Sequence, residues 1–156
     1  MRIGYSGILN GAKNNTKPVT ASQSTKRAFS LSYDPNNLRL FSSAKITIGD
    51  KTLFTDKAMW DTRATITAIS HATAQQYNAA PNETGTSISA TDRLDTDIYQ
   101  ATVELPGGIV FRDIDVWDIS LSYLDVEIVI GMDIISQGKL VVETVNDVPM
   151  FSFSIE

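Results

Sequence analysis

Asp61-Thr62-Arg63-Ala64 closes the apolar run Ala58-Met59-Trp60, and it is the stretch of this chain best placed to do chemistry. A carboxylate at the end of a buried strand can exchange a proton with water or substrate. The hydroxyl of Thr62 can anchor the loop that follows. Arg63 then sets a permanent positive charge beside the carboxylate. Read by itself, Asp61 is also what an ordinary strand end carries. A second segment, Val129-Ile130-Gly131-Met132-Asp133-Ile134-Ile135, follows 70 residues downstream and reads as an apolar strand broken by glycine into a short helix.

Other reactive residue types are poorer candidates. Asp95-Thr96-Asp97 repeats the Asp-Thr pair but has no buried strand before it, so it reads as a solvated hairpin arm. Asp113, Asp115 and Asp118 suggest a cation, yet their spacing matches no calcium loop, and the polar face of a strand explains them. His71 is the only histidine and sits at a helix start, where a surface role is expected; one histidine supports no serine–histidine pair. No metal or other cofactor is expected.

The elements around these residues are short strands. Ala28 to Tyr33 alternates, and Asp34-Pro35-Asn36-Asn37 turns. Leu38 to Phe41, Ala44 to Ile48 and Thr52 through Trp60 read as strand, with a hairpin turn at Gly49-Asp50. Thr65 to Ile69 predicts a short strand, and Ser70 caps a helix over His71 to Tyr77. After a loop over Pro81 to Gly85, Thr86 to Ala90 and Ile98 to Leu105 form a hairpin about the polar tip Thr91-Asp92-Arg93. Its second arm sets Tyr99, Ala101, Val103 and Leu105 against Gln100, Thr102 and Glu104. Pro106-Gly107-Gly108 turns the chain into strands at Ile109 to Phe111, Ile114 to Trp117 and Val126 to Ile130. A helical turn from Met132 to Gln137 ends at Gly138 as a C-cap. Lys139 to Glu143 and Met150 to Ile155 close the chain about Asn146-Asp147. Many short strands with one or two short helices predict an all-β closed or sandwich-like architecture.

Composition bounds the function. A chain of 156 residues, 42% hydrophobic and 20% charged, is one domain with a tail and can bury a core. Residues 1–27 are rich in Asn, Thr, Ser and Lys without hydrophobic period and predict a flexible arm, leaving 28–156 as the domain. A net charge of −5 with scattered Lys and Arg argues against nucleic acid and anionic membranes as partners. The absence of cysteine excludes disulfides, thiol catalysis and cysteine-ligated zinc. The start, Met1 to Gly7, lacks a signal-peptide core, and no apolar run reaches transmembrane length, so the expected location is cytoplasmic. On that expectation the sequons at Asn14 and Asn82 are chance matches.

Taken in order, the hairpin at Gly49, the strand ending in Asp61-Thr62-Arg63-Ala64, the polar-tipped hairpin and Ile130-Gly131-Met132-Asp133 resemble the retropepsin-like aspartic peptidases over about residues 29–156. The resemblance implies a closed β-barrel, the half-lobe of an acid protease, and an obligate homodimer with its cleft on the two-fold axis. It implies an endopeptidase needing no cofactor, with Asp61 as catalytic acid/base and water as nucleophile. Thr62 would anchor the loop, and Ile130 and Gly131 would support it. Ala90, Thr91, Asp92 and Arg93 would form the flap tip over an extended peptide. Asp133 matches a residue that is structural in the relatives.

Arg63 and Ala64 modify this site. The family carries glycine where this chain has Arg63, because backbone there approaches both carboxylates and substrate. Arg63 therefore predicts crowding and backbone strain. Two arginines near two carboxylates would lower the carboxylate pKa values by roughly one to three units and remove the shared proton. Alternatively, Arg63 turns its head group into solvent and leaves the pair intact. The first outcome leaves a catalytically silent dimer that binds peptides or serves assembly; the second leaves a peptidase.

Overall fold

The computed structural model describes residues 26–88, 93–121 and 124–156. Most of the predicted arm and the hairpin-tip residues Ala90, Thr91 and Asp92 lie outside the described residues. Ten strands and two helices follow in order. They are β1 (Arg27–Ser32), β2 (Leu40–Ile48), β3 (Lys51–Trp60), β4 (Ala68–Ser70), α1 (His71–Tyr77), β5 (Glu83–Ile88), β6 (Arg93–Leu105), β7 (Ile109–Ile119), β8 (Ile128–Ile130), α2 (Met132–Ile135), β9 (Lys139–Val145) and β10 (Val148–Ile155). The architecture is all-β, as the strand pattern predicts. β1 begins at Arg27.

A seven-stranded sheet runs β2-β3-β8-β4-β7-β6-β5, and β2 pairs again with β6. That second pairing, Lys45 opposite Glu104 through Ile48 opposite Ala101, closes six of the strands into a barrel. Closure removes free edges, and β5 remains outside it as the first arm of a hairpin with β6. A separate three-stranded sheet, β1-β10-β9, covers the barrel. Alternation dictates what faces in: Tyr99, Ala101, Val103 and Leu105 of β6 are buried, while Gln100 is exposed. Phe151 and Phe153 of β10 are fully buried and meet Trp60 at ring-centroid distances of 6.1 and 4.9 Å, with Phe29 of β1 5.7 Å from the same indole. The aromatic cluster therefore fixes the end of β3, immediately before Asp61. Trp60 also donates its indole N–H to Ser42 Oγ at 3.0 Å, which satisfies its one buried polar atom.

Several boundaries differ from the sequence expectation for physical reasons. The strand predicted over Thr65 to Ile69 is β4 alone, because Thr65 and Thr67 turn their polar groups toward α2. Ser70 does cap α1, its Oγ accepting the N–H of Thr73 at 3.1 Å. β5 begins at Glu83, inside the predicted loop. Arg93 is the exposed first residue of β6 rather than part of a turn. β7 is continuous through Asp113, whose φ of 56° marks an irregularity in its pairing with β6. α2 ends at Ile135 with Ser136 as its C-cap, so Gly138 is not its cap; a Cβ at Gly138 would stand 2.5 Å from the Phe153 ring and from Ser154 O. Glycine there serves close packing. No helix among the described residues is long and apolar enough to cross a membrane.

Candidate active site

β3 and β8 lie side by side and parallel, with Trp60 opposite Ile130. Both segments therefore leave the barrel at one level, which brings the two distant motifs together. The N–H of Asp61 donates to Ile130 O at 3.0 Å, so the ladder continues one bond into the loop. The chain then turns on Asp61: its main-chain oxygen accepts the Ala64 N–H at 3.2 Å, and its Oδ1 accepts the Arg63 N–H at 2.9 Å. A carboxylate that accepts from the second residue after it is an Asx turn, a conformation Asp readily supplies. The Asp61 side chain is half-buried, with Thr62 and Arg63 exposed around it.

The other limb of the loop is tied to α2. Met132 N–H donates to Ala64 O at 2.8 Å, and Asp133 N–H donates to Thr65 O at 3.2 Å. Asp133 returns both carboxylate oxygens to Thr67, accepting its N–H at 2.9 Å and its hydroxyl at 2.8 Å. The same hydroxyl accepts the Gly131 N–H at 3.1 Å. Thr67 is fully buried, so this network satisfies polar groups that water cannot reach. Gly131 lies beneath the loop; a Cβ there would meet Ile66 C and O at 2.4 Å and Thr67 N at 2.9 Å. Its φ is −94°, so close approach of the two backbones, not unusual dihedrals, requires glycine. Ala64 is half-buried and packs on Met59, Leu121, Val126 and Val129, a small apolar cluster that seats the loop from below.

Arg63 departs from the expected strain. Positive φ among non-glycine residues occurs at Leu38, Asn78, Asp113, Asp125, Asn146 and Asp147, and Arg63 is not one of them. The loop accepts a side chain at this position without left-handed backbone. Among the described residues its guanidinium forms no ion pair, with Asp61 or with any other carboxylate of its own chain. Within one protomer the arrangement is thus the solvent-turned head group.

The remaining candidates fall elsewhere. His71 is exposed and faces Asp118, Nδ1 to Oδ2 at 3.0 Å, while its other ring nitrogen meets Gln75 at 3.0 Å. This is the surface role expected of it. Asp113 and Asp115 are exposed on β7. Asp95 accepts from Thr86 across the hairpin at 3.2 Å, and Thr96 donates to the main-chain oxygen of Asp118. The first bond ties β5 to β6 and the second fastens the hairpin to β7, so that Asp-Thr pair has structural partners. Thr67 escaped the sequence reading. Its signal was a hydroxyl within the apolar run Ile66-Thr67-Ala68-Ile69, where burial obliges a partner.

No protein-family model matches the chain, and no curated protein matches it in sequence. Solved structures do. A retropepsin-like aspartic protease from Rickettsia conorii superposes with a TM-score of 0.54 at 14% identity, covering 84% of this chain and 94% of that one. The protease of simian foamy virus (mac) gives a TM-score of 0.43 at 19% identity, over 62% of this chain and 92% of that one. From the closed barrel, the paired loops at its mouth and the Rickettsia likeness together, the chain has the retropepsin-like fold.

Proposed function

We propose that this chain is one half of an aspartic endopeptidase that works as a homodimer. The observation that carries this reading is the Asp61 loop: a half-buried carboxylate in an Asx turn, pinned from behind by Ile130, Gly131 and Asp133. The fold likeness to a protein described as an aspartic protease supports it. One carboxylate cannot both accept a proton from water and give one to the substrate. A two-fold copy would supply the second Asp61. Two close carboxylates resist double ionisation and hold one proton between them. The ionised group then takes a proton from water as the water oxygen bonds to the amide carbon. The protonated group gives its proton to the carbonyl oxygen. As the tetrahedral intermediate collapses, one carboxyl group gives its proton to the nitrogen and the C–N bond breaks. The other carboxylate takes a proton from an intermediate hydroxyl, which restores the shared proton.

Thr62, exposed in the protomer, is the loop anchor across the dimer in this reading. The β5–β6 hairpin, from Glu83 to Leu105 with Arg93 at its described end, is the flap over a peptide bound as an extended strand. A specific observation favours a second reading, a silent dimer that binds peptide or serves assembly: the exposed cation of Arg63 beside Asp61.

Incubation with unfolded casein between pH 4 and 7 separates the two. Cleavage that pepstatin inhibits and Asp61→Asn abolishes is expected; cleavage that survives Asp61→Asn rejects the paired-carboxylate mechanism. Peptide binding without any cleavage selects the silent dimer.

A further inference from the structure

We infer that Arg63 makes this site selective for acidic peptides, binding an Asp or Glu side chain next to the bond to be cut; this rests on the peptidase reading. Three observations carry it. The loop is built to accept Arg63, whose backbone is unstrained and whose N–H is bound to Asp61 Oδ1. That bond fixes the Arg63 Cα beside the carboxylate while the side chain remains exposed. Its guanidinium has no ion-pair partner among the described residues, whereas Lys45 and Lys57 are paired with Glu104 and Asp125.

A guanidinium stays charged at every working pH and offers a planar fork that matches a carboxylate. With a net charge of −5, the chain as a whole repels acidic peptides, so any preference for them must arise locally. Arg63 supplies that local charge where an extended substrate would cross the loop.

The side chain of Arg63 is exposed, so its fork is open to a substrate carboxylate. An acidic residue beside the scissile bond should therefore lower KM and raise kcat/KM.

The test begins with a digest of unfolded casein by the full chain, its cut sites read by mass spectrometry. Peptide pairs then carry Glu or Gln beside one such site. The wild-type chain should favour the Glu peptide by about tenfold or more in kcat/KM. Arg63→Gln should erase that preference, while Arg63→Lys keeps part of it. Equal cleavage of both peptides by the wild type, or a preference that survives Arg63→Gln, overturns the inference and leaves the peptidase reading standing. If casein is not cut, acidic and amide forms of an extended fluorescent peptide are titrated against Asp61→Asn. Tighter binding of the acidic form, lost on adding Arg63→Gln, keeps the selectivity while the peptidase reading falls. Equal binding, or none, overturns the selectivity too.

Discussion

Asp133 grips Thr67 with both carboxylate oxygens, one on the N–H at 2.9 Å and one on the hydroxyl at 2.8 Å. The two residues stand on either side of the Asp61 loop, one opening α2 and the other entering β4. Because the Thr67 hydroxyl also accepts from Gly131, a single buried side chain ties the loop, the glycine and the helix together. The loop that carries Asp61 is thus held from behind through the fully buried Thr67. The side chain of Asp133 acts through Thr67 and touches no reacting atom.

Thr67→Val should test this directly. Valine keeps the shape but removes the donor to Asp133 and the acceptor for Gly131. Leaving buried polar groups unpaired costs about 1–3 kcal/mol. For a domain of this size each kcal/mol lowers Tm by roughly 2–4 °C. Asp133→Asn keeps one acceptor and should lose less. Urea denaturation reads both, and a Thr67→Val chain as stable as the wild type would remove the network from the account of the loop.

Gly131→Ala isolates a different cause. The backbone at φ −94° suits alanine, so any loss comes from the Cβ pressed against Ile66 and Thr67. Overpacking of this kind costs about 1–3 kcal/mol. The added methyl pushes on the segment that follows Asp61, so peptide cleavage should fall more than stability does. Gly108→Ala is the control for a glycine with open space but a φ of 71°. If Gly131→Ala leaves both stability and cleavage unchanged, close approach is not why this position is glycine.

Much of this architecture was legible because it rests on short-range chemistry. Alternation along Tyr99 to Leu105 gives the buried face of β6, and Ser70 before His71 gives the start of α1. The Asp61 and Gly131 segments could be matched because each ends an apolar run. What could not be read was pairing over distance. Nothing local says that β2 turns back to pair with β6 and close the barrel, or that Trp60 meets Phe151 and Phe153 near the other end of the chain. Thr65 looked like strand because β-branched residues favour extended backbone, yet its carbonyl serves Asp133 instead. The backbone strain expected at Arg63 does not occur, because this loop has no positive φ there.

Tyr77 offers a probe of the barrel apart from the site. Its hydroxyl donates to Ile46 O at 2.7 Å, and burial pushes the phenol above its ordinary value of 10.0. The neutral form is therefore favoured in the folded state. The stability this confers is present below the unfolded pKa near 10 and is lost as pH rises through the higher folded value. Denaturation followed from pH 8 to 12 should show stability falling above pH 10. Tyr77→Phe should cost about 1 kcal/mol at neutral pH and flatten that fall. An unchanged alkaline slope in Tyr77→Phe would assign the loss to other groups.

The dimer reading makes its own demand on β9. This strand leaves from the end of α2, and among the described residues no strand pairs with its outer edge. Val142 and Val145 on it are about half exposed, at 52% and 44%. An apolar edge of this kind invites pairing with another chain. Antiparallel self-pairing centred on Val141 would set Lys139 opposite Glu143 of the partner subunit, twice by symmetry, and Leu140 opposite the partner's Val142. Cross-strand pairs of this type contribute roughly 0.2–1 kcal/mol each, and like charges in the same places oppose pairing. Sedimentation should therefore find the wild type at twice the chain mass of 17.1 kDa. Lys139→Glu should weaken that dimer, and adding Glu143→Lys should restore it, with cleavage of casein following the dimer fraction in each case. A wild-type chain that sediments as a monomer at every concentration removes the paired-carboxylate mechanism, since each protomer holds one Asp61. A dimer indifferent to both substitutions places the two-fold axis elsewhere on the surface.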